Sequence, residues 1–201
     1  MYGFDSIETL SDEQKATLVE VYSQSGHVDL IEVSAPAPLP GGRIVFALDT
    51  ASCPKTCDNF LQICMGGKVG KASKKPLHYK NSTLFRLVKD YIVQGGDVTR
   101  GDGSGGDSIY NGKFNDEKPG LAKKFDRKGL LAMANSGKNT NTSQFFITLA
   151  EDAKKMEKMN GKYVVFGEVV EGVHVLDEIN KVPTKGETPL KTITVTDCGK
   201  L

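Results

Sequence analysis

Phe85-Arg86-Leu87-Val88-Lys89-Asp90-Tyr91-Ile92-Val93-Gln94-Gly95-Gly96-Asp97 is the stretch on which the fold turns. Residues 83–87 and 91–95 read as two short strands rich in apolar and β-prone side chains. Alternate residues of a strand share a face, so Arg86 and Val88 point to one side. Working outward, further short strands are expected at residues 43–48, 130–135, 144–149, 164–170 and 191–198, several of them bounded by Gly-rich turns. Pro54 suits the first position of a helix. There Cys57, Phe60, Leu61 and Cys64 form an apolar stripe, and Gly66-Gly67 ends it. A Gly/Lys-rich loop spans 66–80, and a second helix fits 173–181. Many short strands with two or three helices argue for a mainly β fold, a closed barrel or a sandwich.

The N-terminal part differs. Ser11 and Gln14 make a capping box, with Asp12 and Glu13 in the first turn. Leu18, Val19 and Tyr22 add a modest stripe, so a short helix over 12–24 is expected. Residues 28–33 alternate apolar and charged side chains as a strand does. Pro36, Pro38 and Pro40 then make a stiff connector. The expected division is an extension over 1–27 and a domain over 28–201.

Composition excludes several classes. The chain of 201 residues can bury a core without metals or disulfides. Its formal net charge of +1 gives no pull toward nucleic acid or a membrane surface. No apolar run reaches the ~18 residues of a membrane span. Residues 1–10 carry Asp5 and Glu8 and lack the apolar centre of a secretory signal. The four cysteines are too few for a disulfide scaffold, so a reducing, cytoplasmic setting is expected. A monomer is expected.

Gly101-Asp102-Gly103-Ser104-Gly105-Gly106 matches G-x-G-x-x-G, but the following residues 107–112 make a poor helix start, so a flexible surface turn is expected rather than a dinucleotide site. His27, His78 and His174 are too scattered for a metal site. Cys53-x-x-x-Cys57 lacks a second pair, and no serine or cysteine has a nucleophile-elbow context. No cofactor and no metal are expected.

Three further stretches complete the pattern begun by residues 85–97: Met133-Ala134-Asn135-Ser136-Gly137, Asn139-Thr140-Asn141-Thr142-Ser143-Gln144-Phe145-Phe146-Ile147 and Asn160-Gly161-Lys162-Tyr163-Val164-Val165-Phe166-Gly167. In this order the four closely resemble the cyclophilin family of peptidyl-prolyl cis-trans isomerases. The resemblance runs over about residues 28–201 and ends in the family-like Asp197-Cys198-Gly199. It implies a closed eight-stranded antiparallel barrel capped by two helices, here with an N-terminal helical extension. It also implies an isomerase that assists folding by acting on proline-containing peptides and on unfolded or flexible proteins.

The implied reaction suits the residues. Amide resonance sets a rotation barrier of ~18–20 kcal/mol. Twisting an X-Pro bond localises the lone pair on the proline nitrogen, and a cationic donor aimed there favours the twisted state. Arginine stays charged and presents a rigid fork of donors. By resemblance Arg86 is the catalytic arginine, and Phe146 floors an apolar socket with Tyr91, Ile92 and Met159 around it. Gln94 and Asn135 hold the substrate backbone, Ala134 and Ser136 line the adjoining groove, and Ser104 flanks a shallower pocket. Alternation alone sends one of Phe145 and Phe146 into a core and leaves the other for a groove.

Some positions depart from the family pattern. Tyr91 and Ile92 replace the usual phenylalanine and methionine, Phe85 a histidine, and Tyr163, still able to line the socket, another histidine. The lysine-rich loop 151–159 is longer than usual, and Lys158 stands where a tryptophan contacts cyclosporin, so weakened binding of that cyclic inhibitor is expected. Residues 68–79 resemble the family's divergent-loop subset, which implies a redox pair, Cys64 and Cys198, and a loop tether at Asp107. Two buried, inert thiols are the plainer reading of that pair. A proline-peptide-binding scaffold with little turnover is the alternative to an active isomerase.

Overall fold

Side chains alternate so regularly along the central strands that one sheet feeds two separate cores. The computed structural model describes residues 41–201, so the helix expected over 12–24, the strand over 28–33 and the proline connector lie outside the described residues. In chain order the elements are β1 (Val45–Leu48), α1 (Pro54–Met65), β2 (Lys68–Val69), β3 (Pro76–Leu77), β4 (Arg86–Val88), β5 (Ile92–Gly95), α2 (Lys118–Ala122), β6 (Leu130–Met133), β7 (Phe145–Thr148), α3 (Ala153–Met156), a 3-10 turn (Glu157–Met159), β8 (Val165–Glu171), α4 (Val173–Lys181), β9 (Thr184–Lys185) and β10 (Thr188–Pro189). Six of the strands pair antiparallel in the order β1-β8-β6-β7-β5-β4, and β2-β3 and β9-β10 are separate two-stranded ribbons.

On one face, Leu87, Val93, Leu131, Met133, Phe145 and Ile147 pack against α1 and α4 through Phe60, Ile63, Val175 and Leu176. On the other face, Val88, Ile92, Ala132, Phe146 and Val165 pack with Phe125, Met156 and Met159. Each fully buried side chain of this size contributes ~1.5–3 kcal/mol. The first core holds the fold together, and the second lies beneath the candidate site.

Helix α1 begins at Pro54 and ends before Gly66, whose φ of 71 suits a residue without a Cβ. The Glu117 carboxylate satisfies its first donors, accepting from Lys55 N at 3.1 Å and Thr56 N at 2.8 Å. The buried stripe is wider than expected: Ile63 is fully buried, whereas Leu61 is only half-buried.

The mainly β class holds, and among the described residues the main sheet has six strands. The strand expected over 191–198 is reduced to one bridge, Thr83 to Thr194, with backbone bonds from Leu84 N to Ile193 O at 2.9 Å and from Val195 N to Ser82 O at 2.9 Å. Among the described residues, the short segment 81–84 is what residues 193–195 pair with, so no longer ladder forms there.

Candidate functional site

Strand register places the site. Arg86 on β4 pairs with Gln94 on β5, Gln94 with Phe146 on β7, and Phe146 with Ala132 on β6. Directly paired residues put their side chains on the same face. Four side chains therefore stand in one row, and at ~4.8 Å per strand the backbone of Arg86 lies about 10 Å from that of Phe146.

The polar end of the row is a continuous chain of hydrogen bonds. Arg86 Nε donates to Glu187 Oε2 at 2.6 Å, and Nη1 donates to Gln94 Oε1 at 3.1 Å. Gln94 Nε2 donates to Gln144 Oε1 at 3.0 Å, and Gln144 Nε2 donates to the carbonyls of Gly103 and Gly105 at 2.9 and 2.7 Å. The guanidinium on its carboxylate holds Glu187 below the usual range. Arg86 remains half-buried.

The apolar end is aromatic. Phe146 is 2% exposed and stacks on Phe125 at 5.8 Å, and Tyr163 meets its face edge-on at 5.2 Å. Ile92 and Met159 are buried beside it, and Tyr91 and Tyr163 are half-buried at its margin. Burial, then the neighbouring Tyr163, pushes the Tyr91 phenol up, while Arg86 pulls it down, so Tyr91 feels both ends of the row. Phe145 points the opposite way, against Phe60 at 5.4 Å and Tyr79 at 5.2 Å. This resolves which phenylalanine belongs to the groove face.

Asn135 follows β6 with its side chain already engaged. Nδ2 donates to Lys162 O at 2.8 Å, and Oδ1 accepts from Gly137 N at 3.1 Å. Its backbone N–H and C=O have no partner among the described residues, so they remain for an incoming backbone. Ala134 is buried, its N–H donating to Gln144 O at 3.0 Å, and Ser136 is exposed next to it.

The glycine loop is organised rather than flexible. Asp97, 2% exposed, accepts at Oδ1 from Thr99 N and Arg100 N, and at Oδ2 from Gly103 N and Gly105 N, both at 2.9 Å. Burial pushes this carboxyl up, but the bonds from Arg100, Gly105 and Thr99 outweigh it and hold it below the ordinary range. The N–H groups a phosphate would need are thus taken by a carboxylate. Ser104 sits exposed at the loop tip, donating to Asp102 Oδ1 at 2.6 Å.

Cys198 Sγ donates to Cys64 O at 3.3 Å, which brings the two cysteines together. Burial pushes the Cys64 thiol up to about 12. Asp107 reaches the 66–80 loop, accepting from Ser73 N at 2.7 Å. A separate cleft lined by Lys55, Tyr110, Lys113, Phe114 and Asn115 lies apart from the row. Its tyrosine is engaged, donating to Lys55 O at 3.0 Å.

Phe125, Gln144 and Glu187 belong to the site, and residue-level reading had not assigned them. Gln144 carries a usable signal, since it lies two before Phe146 and so shares its face. Glu187 carries none, being 101 residues from Arg86 in sequence.

The sequence profile of the family described as cyclophilin type peptidyl-prolyl cis-trans isomerase/CLD matches residues 31–200. The NK-tumor recognition proteins of Homo sapiens and Mus musculus are each 48% identical to this chain over 164 residues. That match takes in 81% of this chain but 11% of theirs, so the chain spans about a tenth of the length of these relatives. A crystal structure of a cyclophilin type peptidyl-prolyl cis-trans isomerase from Cryptosporidium parvum is similar with a TM-score of 0.66 and 39% identity, covering 79% of this chain and 90% of that one. A second structure of that protein, determined in the presence of the dipeptide Ala-Pro, is similar at a TM-score of 0.66 and 38% identity, covering 79% of this chain and 92% of that one.

Proposed function

Since this chain belongs to the family of cyclophilin-type peptidyl-prolyl cis-trans isomerases, we propose that its Arg86–Phe146 row binds X-Pro segments and speeds rotation about their peptide bond. The observation that carries this reading is the register row, which sets a guanidinium and an apolar floor on one face with Gln94 between them. The proline ring rests against the aromatic end, bounded by Phe146, Ile92, Tyr91, Met159 and Tyr163. The free backbone groups of Asn135 hold the substrate chain, with Ala134 and Ser136 beside it. Arg86 donates to the proline nitrogen as the amide twists.

Magnitudes fix how the work divides. A 10⁵-fold acceleration requires about 7 kcal/mol. One hydrogen bond from a charged group contributes ~1.5–3 kcal/mol. Orientation of the substrate and a pre-set donor array must supply the rest. The polar chain from Glu187 to the glycine loop is the means of pre-setting. Arg86→Ala in a protease-coupled proline-peptide assay is therefore expected to lower kcat/KM at least about 100-fold. Background rates in both proteins would instead support the scaffold reading.

Several finer readings accompany this one. Closure of the sheet into a barrel is supported by the backbone bonds between residues 81–84 and 193–195. Action on unfolded or flexible chains as a folding aid is in keeping with a groove that needs only an exposed X-Pro, and a reducing cytoplasm with cysteines that are free; a monomer is proposed with them. The family match over residues 31–200 supports a 28–201 isomerase domain preceded by a 1–27 extension. Cyclosporin binds weakly because the exposed Lys158 offers no flat apolar surface. A redox pair of Cys64 and Cys198 is supported by the bond from Cys198 Sγ to the Cys64 carbonyl, which sets the two residues side by side.

A further inference from the structure

Arg86 is gripped on two sides, and one grip comes from a part of the chain that the family motifs do not touch. We propose that Glu187 is a positioning residue for Arg86, fixing the plane of the guanidinium so that its remaining donors face the twisting amide. The inference rests on the isomerase reading above.

Local geometry builds this contact from the backbone up. Lys185 and Thr188 pair across the β9-β10 ribbon, leaving Gly186-Glu187 as a two-residue turn. Gly186 takes a φ of 63, the conformation that the first turn residue of a tight hairpin requires and that glycine supplies without strain. The carbonyl of Glu187 then accepts from Leu87 N at 2.8 Å. That bond fastens the turn to β4 at the residue after Arg86, and the Glu187 carboxylate accepts from Arg86 Nε at 2.6 Å.

The pair does little for the fold. Its side chains are 40% and 55% exposed, and ion pairs this open to water add little to stability. Its effect is on orientation. A long side chain has many rotamers, and each must be excluded before a donor can meet a developing lone pair. Nε is held by Glu187 and Nη1 by Gln94, which together define the guanidinium plane. Nη2 has no partner among the described residues and is left for substrate. An anchored donor favours the twisted state over the planar one, so its loss shows in kcat more than in KM.

The test compares wild type with Glu187→Ala and Glu187→Gln, measuring kcat and KM separately by NMR exchange on a proline peptide, together with thermal midpoints. Expected are a kcat about 5-fold lower in Glu187→Ala, a little-changed KM, unchanged midpoints, and recovery of most of the kcat in Glu187→Gln, which keeps an acceptor. In the free protein the Arg86 Nε–H resonance is expected downfield and slow to exchange in wild type, and neither in Glu187→Ala. Wild-type kcat in Glu187→Ala, or Glu187→Gln as slow as Glu187→Ala, overturns the proposal. So does an Nε–H resonance that Glu187→Ala leaves unchanged. An inactive wild type strikes the isomerase reading instead, and the Nε–H resonance then judges the anchoring by itself.

Discussion

Arg86 has five N–H groups, and two are engaged before any substrate arrives. An engaged arginine is less free to wander, as the proposed role of Arg86 requires. On the apolar side the departures from the family pattern keep the same physical character. Tyr163 lies edge-on to Phe146, and Ile92 is buried beside it, as is Met159. Lys158 is the exception, exposed next to the buried Met159. Calorimetric titration should find cyclosporin binding well weaker than nanomolar, and Lys158→Trp should strengthen it about 10-fold, or ~1.4 kcal/mol. Nanomolar binding to the unaltered chain would refute this.

Among the elements, the glycine loop depends on one carboxylate. Asp97 has a folded-state value below that of a free aspartate, so its contribution is complete above the unfolded value of ~3.9 and fades as pH falls from there through the depressed folded value. The amide resonances of Gly103 and Gly105 should therefore titrate together with a midpoint below pH ~4, and flat resonances would argue against the carboxylate. Asp97→Asn turns an acceptor into a donor facing two N–H groups, and a loss of about 1–3 kcal/mol is expected in chemical unfolding. Strands β4 to β8 and helices α1 and α4 were legible in the sequence, because period-2 alternation and a proline–glycine frame are local signals. Over 191–198 the described residues show one bridge and three backbone bonds to 81–84, because pairing depends on which segment lies alongside as much as on propensity. Of the site, Arg86, Gln94 and Phe146 were legible as a motif, and their row follows from register. Glu187 and Phe125 enter only through tertiary contact.

Across the molecule, the four thiols differ mainly in access. Cys53, Cys57 and Cys64 are buried, with burial pushing them up to about 11, 12 and 12, while Cys198 is half-exposed. An oxidant thus meets Cys198 first. On the proposed pairing, hydrogen peroxide would take two electrons and two protons from Cys198 and Cys64, leaving as water, and would join α1 to the C-terminal segment by a disulfide. The expected result is slow formation of this single bond, seen by mass spectrometry, with reduced isomerase activity. Two thiols still free after prolonged peroxide would dispose of the pair. The sheet's two-sidedness also has a consequence for chemical genetics. Leu87, Val93 and Phe145 anchor one side while Ile92, Phe146 and Phe125 floor the other, so a hole carved by trimming Phe125 would admit an enlarged inhibitor that the unaltered chain rejects, with the opposite hydrophobic layer left to keep the chain folded.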